Sequence, residues 1–271
     1  MLFRSSNIGM TAAGRVLKAR EQTRPTARDH IINIFDFFFE LSGDRSYGND
    51  KSIVCGIARL DSRPVTVIGQ QKGRTLEENM EMRFGMPDPE GYRKAMRMMK
   101  QAEKFRRPVI TFIDTPGAFP GKEAEERGQG MAIAECIEMM SRLKVPCISV
   151  FIGEGGSGGA LALAVSDRTI MEENAIFSIL SPEGFASILW RDTARWEEAA
   201  EAMKLTAQDL MQMGICDEIV HEKDVATEAG RHKLYADVKR AISDNLEPLL
   251  RMSGEQLTRA RYKKLRSVGI R

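Results

Sequence analysis

The sequence predicts an α/β fold built on buried parallel strands. Residues 109–113 and 148–152 are mainly apolar runs rich in β-branched side chains, each with one hydroxyl residue, Thr111 or Ser149, a pattern typical of strands that are covered on both faces. Each run is followed by a glycine-rich turn and then by a helical pattern. Because the carboxyl ends of neighbouring parallel strands meet at one edge of a sheet, we expect both turns to lie where α/β proteins bind ligands.

The first 42 residues are predicted to form an N-terminal helical arm. A short basic helix is expected over residues 14–22. Thr26 can cap a second helix, which carries an aromatic apolar face that includes Phe35 and ends at Gly43. We expect this face to pack on the rest of the domain or on a partner.

A β-hairpin and a loop are predicted next. Residues 53–60 and 65–69 have the composition of strands, and the Asp-Ser-Arg-Pro segment between them favours a tight connection. A polar segment, residues 70–74, follows the second strand. Residues 74–88 show weak periodicity and many charges, which predicts a mobile or ligand-covering loop.

Further helices and short strands complete the predicted core, which we place at residues 43–221. A helix that starts at Pro89 would bury a methionine-rich stripe. Ser181 can cap another helix, with Pro182 at its first position. The other predicted elements are a single long helix at 123–143, strands at 169–171, 176–180 and 215–220, and helices at 193–203 and 206–213.

The C-terminal extension, residues 222–271, is predicted to consist of charged helices. Two interpretations of this segment stay open, because its charge pattern fits both. It either packs on a partner subunit or forms a solvated tail.

Composition narrows the classes of function. The net charge is +2, and the 40 basic and 38 acidic residues are mixed along the chain, so no nucleic-acid partner is expected. The four cysteines lack the paired spacing of zinc ligands, so we expect neither a bound metal nor a disulfide framework. No apolar run approaches the roughly 20 residues that span a bilayer. A cytoplasmic protein without a membrane partner is therefore expected.

The extreme N-terminus allows two interpretations. Residues 1–20 contain basic side chains and no acidic one, as organelle transit peptides do. Met10 would serve equally well as a start, and we then expect residues 1–9 to be dispensable, since they carry no periodic apolar pattern.

The turn at residues 153–159, Gly-Glu-Gly-Gly-Ser-Gly-Gly, fits three kinds of chemistry. A phosphate-binding loop would need a following Lys-Ser or Lys-Thr, which the sequence lacks. A serine hydrolase would use Ser157 with a histidine base, and the chain has only three histidines, at positions 30, 221 and 232. An oxyanion hole needs paired backbone amides and no nucleophilic side chain.

Six segments, in order along the chain, resemble the carboxyltransferase alpha subunits of bacterial acetyl-CoA carboxylase. The resemblance covers about residues 11–221. This sequence departs from the family at Gly130 and Met131, where the family usually has Ser and Glu. The segments that carry the resemblance are residues 84–87, 89–95, 113–118, 125–129, 153–159 and 180–184.

The resemblance implies a crotonase-like fold, of the ClpP/crotonase superfamily, with repeated ββα units and N- and C-terminal helical extensions. It also implies an activity. The carboxyl group of carboxybiotin, carried on the biotin carboxyl carrier protein, would be transferred to acetyl-CoA to give malonyl-CoA, the first committed step of fatty acid biosynthesis.

Partners are also implied by the resemblance. A carboxyltransferase beta subunit with a zinc ribbon would complete the site, with an alpha2beta2 assembly expected, and biotin carboxylase would load the carrier. No metal is expected in this chain, because the four-cysteine ribbon belongs to the beta subunit. The chain would be active only when it is paired with that subunit.

Site residues follow from the same resemblance. The backbone N–H groups of Gly158 and Gly159 would hold the ureido oxygen of biotin while it gains negative charge, which agrees with the oxyanion-hole interpretation of the turn. The carboxybiotin side would further include Gly117, Ala118, Gly155 and Gly156.

Two alternatives remain beside this function. The same fold could serve a carboxyltransferase or decarboxylase that acts on another acyl-CoA, since this half of the site contributes little to the choice of thioester. A hydrolase that uses Ser157 is a remote alternative. Related Clp-type peptidases carry their catalytic histidine just after the following strand, and residues 177–180 contain none.

Overall fold

The computed structural model describes residues 9–269, so residues 1–8 of the predicted dispensable or transit segment lie outside the described residues. The strands are β1 (Phe37–Glu40), β2 (Ile53–Leu60), β3 (Arg63–Gln70), β4 (Val109–Thr115), β5 (Cys147–Gly156), β6 (Arg168–Glu172), β7 (Ile176–Ser178) and β8 (Glu218–Val220). The helices are α1 (Ala12–Ala19), α2 (Ala27–Ile34), α3 (Leu76–Glu81), α4 (Pro89–Lys104), α5 (Lys122–Glu126), α6 (Gln129–Arg142), α7 (Ser157–Leu161), α8 (Pro182–Trp190), α9 (Trp196–Met203), α10 (Ala207–Gln212), α11 (Glu228–Leu249) and α12 (Gly254–Ser267).

The strands of the described residues form one mixed sheet in the order β1-β2-β3-β4-β5-β6-β8, and β7 pairs with the end of β5. The first three strands are antiparallel, which confirms the predicted hairpin of β2 and β3. From β3 onward the pairing is parallel. The predicted α/β fold with parallel strands and glycine turns at one edge is therefore confirmed.

The sheet is covered on both faces, as the mainly apolar runs predicted. Successive side chains of β4 point to opposite faces. Val109 and Ile113 pack in the cluster that contains the helix α4 residue Tyr92. Ile110 and Phe112 pack in the cluster that contains residues of α2 and α11. The two apolar layers hold the carboxyl ends of the strands in fixed relative positions.

Three element predictions were wrong. The helix capped by Thr26 ends at Ile34 and does not reach Gly43, because the aromatic residues that follow pair with β2 as strand β1. Residues 74–88 contain helix α3, which Thr75 caps, so they are not simply a loop. The single helix predicted at 123–143 is two helices, since Gly128 has φ +82° and ends the first of them.

The C-terminal helices are integral to the domain. Helix α11 contributes Val238 and Ile242 to the core on one face of the sheet. The guanidinium of Arg261 in α12 is fully buried, where it forms an ion pair of 2.8 Å with Asp167 and donates to the carbonyl oxygen of Met140. The solvated-tail interpretation is therefore wrong, whereas the domain boundaries after residues 42 and 221 stay predictions.

No helix between residues 9 and 269 combines the length and the hydropathy of a bilayer span.

We expect the substitution Arg261→Met to destabilise the protein by about 3–5 kcal/mol, because it leaves the Asp167 carboxylate buried without its cation. Urea unfolding followed by circular dichroism measures this loss. Lys263→Met, on the exposed side of the same helix, is the matched control and should change stability by less than about 0.5 kcal/mol. Equal losses for the two variants would contradict the anchoring role of Arg261.

Candidate functional site

The two glycine turns lie side by side at one edge of the sheet. Strands β4 and β5 are parallel neighbours, and Thr115 pairs with Gly155 beyond a shift of register. The turn that follows β4 contains Gly117 and Ala118, and the end of β5 leads into α7. The structure thus brings together the predicted site residues of both turns.

Glycines are required where the two turns touch. A Cβ at Gly156 would overlap the carbonyl oxygen of Pro116, and one at Gly159 would lie 2.5 Å from the backbone nitrogen of Ala118. A Cβ at Gly155 would lie 2.5 Å from the ring of Phe151. Gly156 and Gly159 therefore permit the two backbones to pack, and Gly155 makes room for the Phe151 ring, so we infer a structural reason for each of the three.

Gly158 differs from these three glycines, because a side chain at this position would not overlap a neighbouring atom. The nearest atom to an added Cβ is the Cγ2 of Ile133 at 3.5 Å, an ordinary contact distance. Within residues 9–269, no hydrogen bond engages the N–H of Gly158 or Gly159. The backbone at this position thus has free donors beside open space.

The geometry of the turn is tighter than predicted. Strand β5 continues through Gly156, and the turn is made at Ser157, which has φ +49°. The helical pattern predicted after the turn forms helix α7, which has only five residues. A helix this short has little macrodipole, so any stabilisation of an anion must come from the free N–H groups themselves.

The hydrolase alternative lacks a base. His30 is buried, and its ring nitrogens lie 2.9 Å from the Thr26 carbonyl oxygen and 2.7 Å from Glu172. His221 and His232 are exposed, next to Glu173 and Glu228 respectively. None of the three hydrogen-bonds to Ser157, and nothing in the described residues therefore activates its hydroxyl.

An ionic cluster that the sequence analysis missed lies beneath the turns. The Nζ atom of Lys72 is 2.6 Å from Asp114 at the end of β4 and 2.9 Å from Glu154 in β5. Arg20, just after α1, pairs with Glu154 at 2.8 Å and with Glu183 at 2.6 Å. We call these five residues the turn cluster. Two of its acids, Asp114 and Glu154, were visible in the sequence as polar residues near the ends of the buried strands, but their cations come from distant segments.

Each member of the Lys72–Glu154 pair is held in its charged form. Burial opposes the charge of both groups. The carboxylates of Asp114 and Glu154 outweigh this effect and raise the pKa of Lys72, and the ammonium of Lys72 and the guanidinium of Arg20 lower the pKa of Glu154. The glycine turns therefore rest on charges that are fully formed at neutral pH.

A second group of charges lies next to the turn cluster. Arg24 donates to the carbonyl oxygen of Ile152 and pairs with Glu172 at 2.8 Å and Glu222 at 2.6 Å. Glu172 is the last residue of β6, and Glu222 follows the end of β8 by two residues, so both acids lie at carboxyl ends of strands, as Asp114 does in β4. A cleft of about 520 Å³ opens beside the turn cluster and is lined in part by Lys72 and Pro116.

Residues 9–269 contain no group of three or more His, Cys, Asp or Glu side chains placed to hold a metal ion.

Comparison with solved structures defines the class of the fold. The chain matches transcarboxylase 12S, solved with methylmalonyl-CoA and methylmalonic acid bound, with a TM-score of 0.70 and 21% identity over 85% of this chain and 42% of that chain. The chain thus shares the fold of transcarboxylase 12S, which confirms the predicted crotonase-like fold.

Sequence comparison defines the family. The chain is 55% identical over 258 residues to the acetyl-coenzyme A carboxylase carboxyl transferase subunit alpha of Streptococcus thermophilus, covering 95% of this chain and 99% of that protein. It is 53% identical over 260 residues to the subunits beta/alpha protein of Clostridium tetani, covering 96% of this chain but only 45% of that protein. The family model "Acetyl co-enzyme A carboxylase carboxyltransferase-like" matches residues 4–269, and the chain belongs to this family.

We expect Glu154→Gln to weaken the protein in a pH-dependent way. The pKa of Glu154 is below its ordinary value of 4.5, so its ion pairs stabilise the folded state above that value and are lost as the pH falls through the lowered pKa. The variant should lose about 2 kcal/mol at neutral pH, and the difference from the wild type should shrink toward zero in acid.

Urea unfolding at several pH values measures this difference. Glu21→Gln is the control, because Glu21 forms only an exposed pair with Lys18 and should contribute less than about 0.5 kcal/mol. A loss for Glu154→Gln that is the same in acid as at neutral pH would contradict the assignment.

Proposed function

We propose that this chain is the carboxybiotin-binding half of an acetyl-CoA carboxylase carboxyltransferase. It would transfer the carboxyl group of carboxybiotin, carried on the biotin carboxyl carrier protein, to acetyl-CoA and give malonyl-CoA. The single observation that carries the proposal is the pair of free N–H groups at Gly158 and Gly159, beside the open space at Gly158. Membership of the family supports it.

The residues present fit this use. Carboxybiotin supplies the carboxyl group, and its ureido oxygen becomes negative as that group leaves. Two N–H groups that already point away from protein acceptors can donate to this oxygen without reorganisation, which is what makes such donors effective. Gly158 leaves room for the close approach of the ureido ring, because a Cβ there would occupy that space.

The other predicted site residues have a supporting part in the proposal. Gly117 has φ +153° and no atom within 4 Å of an added Cβ, so the turn after β4 also presents open backbone. Ala118 lies against Gly159, and Gly156 against Pro116. In the proposal, these contacts fix the second wall of the carboxybiotin site relative to the N–H groups.

A partner subunit would complete the site. Helix α7 contacts α6 and β7, and exposed apolar side chains lie in or next to these elements: Met131 in α6 is 65% exposed, Leu161 in α7 38%, and Ile179 after β7 77%. Such a group of side chains next to a half-open site favours burial by another chain. The proposed occupant is the carboxyltransferase beta subunit with its zinc ribbon, in an alpha2beta2 assembly supplied by biotin carboxylase and the carrier. The fused Clostridium tetani relative supports this pairing.

One alternative has support of its own. Transcarboxylase 12S shares the fold and was solved with a different acyl-CoA, methylmalonyl-CoA. The reaction could therefore be carboxyl transfer or decarboxylation with another acyl-CoA, since the proposed role of this chain concerns carboxybiotin alone.

We expect the isolated chain to be inactive and the chain mixed with its beta subunit to be active, because one half of the site lacks an acyl-CoA pocket. Malonyl-CoA-dependent carboxylation of biocytin is the assay for the isolated chain. With biotinylated carrier, acetyl-CoA should be carboxylated faster than propionyl-CoA. Robust activity of the chain alone would contradict the shared site, and a preference for propionyl-CoA would favour the alternative.

We expect Gly158→Val to slow transfer by roughly 10² to 10³, because its side chain would fill the space in front of the free N–H groups. The nearest atom to the new Cβ is 3.5 Å away, so the variant should fold and assemble with the partner. Ser157→Ala should retain most of the activity, since no step uses its hydroxyl. Gel filtration checks assembly of both variants. Near-normal transfer by Gly158→Val, or a dead Ser157→Ala, would show that the wrong atoms are assigned.

A further inference from the structure

A fully buried glutamine touches the turn that carries the free N–H groups. Gln70 is the last residue of β3, and its side-chain Nε2 donates to the carbonyl oxygen of Gly159 at 2.8 Å. The bond joins residues that are 89 positions apart in the sequence. The carbonyl of Gly159 therefore has a fixed direction that α7 itself does not set.

The carbonyl oxygen of Gly159 is available because α7 ends so early. In a continuing helix it would accept from the N–H of Leu163. Here the N–H of Leu163 donates to Ala160 instead, at 3.0 Å. The hydroxyl of Tyr92 lies 3.4 Å from the Gly159 oxygen and gives a second, longer contact. Gln70 thus replaces the missing helical hydrogen bond.

The other half of the Gln70 amide has no partner. Its Oε1 atom is buried and accepts no hydrogen bond within residues 9–269. Burying an acceptor in this state is unfavourable, and an apolar side chain of similar size would avoid the penalty. A gain in stability is therefore a poor explanation for a glutamine at position 70. The part of its side chain that makes a contact is the Nε2 donor group, which binds the turn at Gly159.

The second glycine turn is held in the same manner. The Nε2 atom of Gln129 donates to the carbonyl oxygens of Phe119 and Pro87, at 2.9 and 2.8 Å. Its Oε1 is also buried without a partner in the described residues. Each turn thus has one buried glutamine that acts as a donor only.

We propose that Gln70 is a positioning residue for the proposed carboxyl transfer, which acts through the Gly159 carbonyl to hold the N–H groups of Gly158 and Gly159 in line with the developing charge. The inference rests on the proposed function. Gln70 touches no substrate. Its hydrogen bond fixes the Gly159–Ala160 peptide group, which directly follows the two peptide groups that carry the N–H donors, and it thereby restrains their orientation.

The test compares Gln70→Leu with the wild type in the reconstituted complex with beta subunit, biotinylated carrier and acetyl-CoA. The variant should lower kcat about 10- to 100-fold, since small misplacements of catalytic groups have effects of this size. KM for acetyl-CoA should stay unchanged. The Tm should fall, because the Gly159 carbonyl oxygen keeps only the longer contact with Tyr92, so kcat is compared per assembled complex. A residue that only stabilised the fold would lower Tm and leave kcat per assembled complex intact.

Gln208→Leu is the matched control. Gln208 also donates through Nε2, to the Glu173 carbonyl oxygen at 3.2 Å, and also has a buried Oε1 without a partner in residues 9–269, but it contacts neither glycine turn. This variant should transfer at the wild-type rate.

Gln70→Glu adds a pH profile that a structural role would not produce. A protonated carboxyl can donate to the Gly159 oxygen in place of the amide, whereas a carboxylate cannot. Activity relative to the wild type should therefore rise as the pH falls, while Gln70→Leu stays low at every pH. If the wild-type complex transfers the carboxyl group and Gln70→Leu is equally active, the role of Gln70 is wrong but the proposed function stands. A wild-type complex without transfer would overturn the proposed function and this inference together.

Discussion

The fold depends on the neutralisation of acids at the carboxyl ends of its parallel strands. Asp114, Glu154, Glu172 and Glu222 close or follow four strands that lie in one sheet. Buried carboxylates so close together would repel one another without cations between them. The cations come from the N-terminal segment and from the residues that follow β3, so these two regions neutralise the sheet edge at which the glycine turns lie.

The glycine turns show two uses of the same residue. Where the backbones touch, at Gly156 and Gly159, the missing side chain permits packing of one turn on the other. Where space is open, at Gly158, it leaves backbone donors accessible. The close backbone contacts at Gly156 and Gly159 fix the positions of the N–H donors, and the space at Gly158 lets a ligand reach them. The site therefore needs both kinds of glycine within one short segment.

Local patterns were sufficient to predict the strands, the capped helices and the adjacency of the two turns, because apolar runs and glycine clusters report directly on burial and chain reversal. Local patterns did not predict the features that depend on contacts with residues far away in the sequence. Residues 37–40 form a strand because they pair with β2 through backbone hydrogen bonds. The cations of the turn cluster come from distant parts of the chain, and Arg20, for example, is 134 residues from Glu154. The roles proposed for the N–H groups of Gly158 and Gly159 came from the family resemblance, and they agree with the oxyanion-hole interpretation of the local glycine pattern.

The buried pair of Arg261 and Asp167 has a consequence for synthesis of the chain. Asp167 belongs to the middle of the sequence, yet its cation is made 94 residues later. During translation at about 5–20 residues per second, the core must wait several seconds before this carboxylate can be neutralised. The part of the sheet around Asp167 therefore stays incomplete until α12 has left the ribosome.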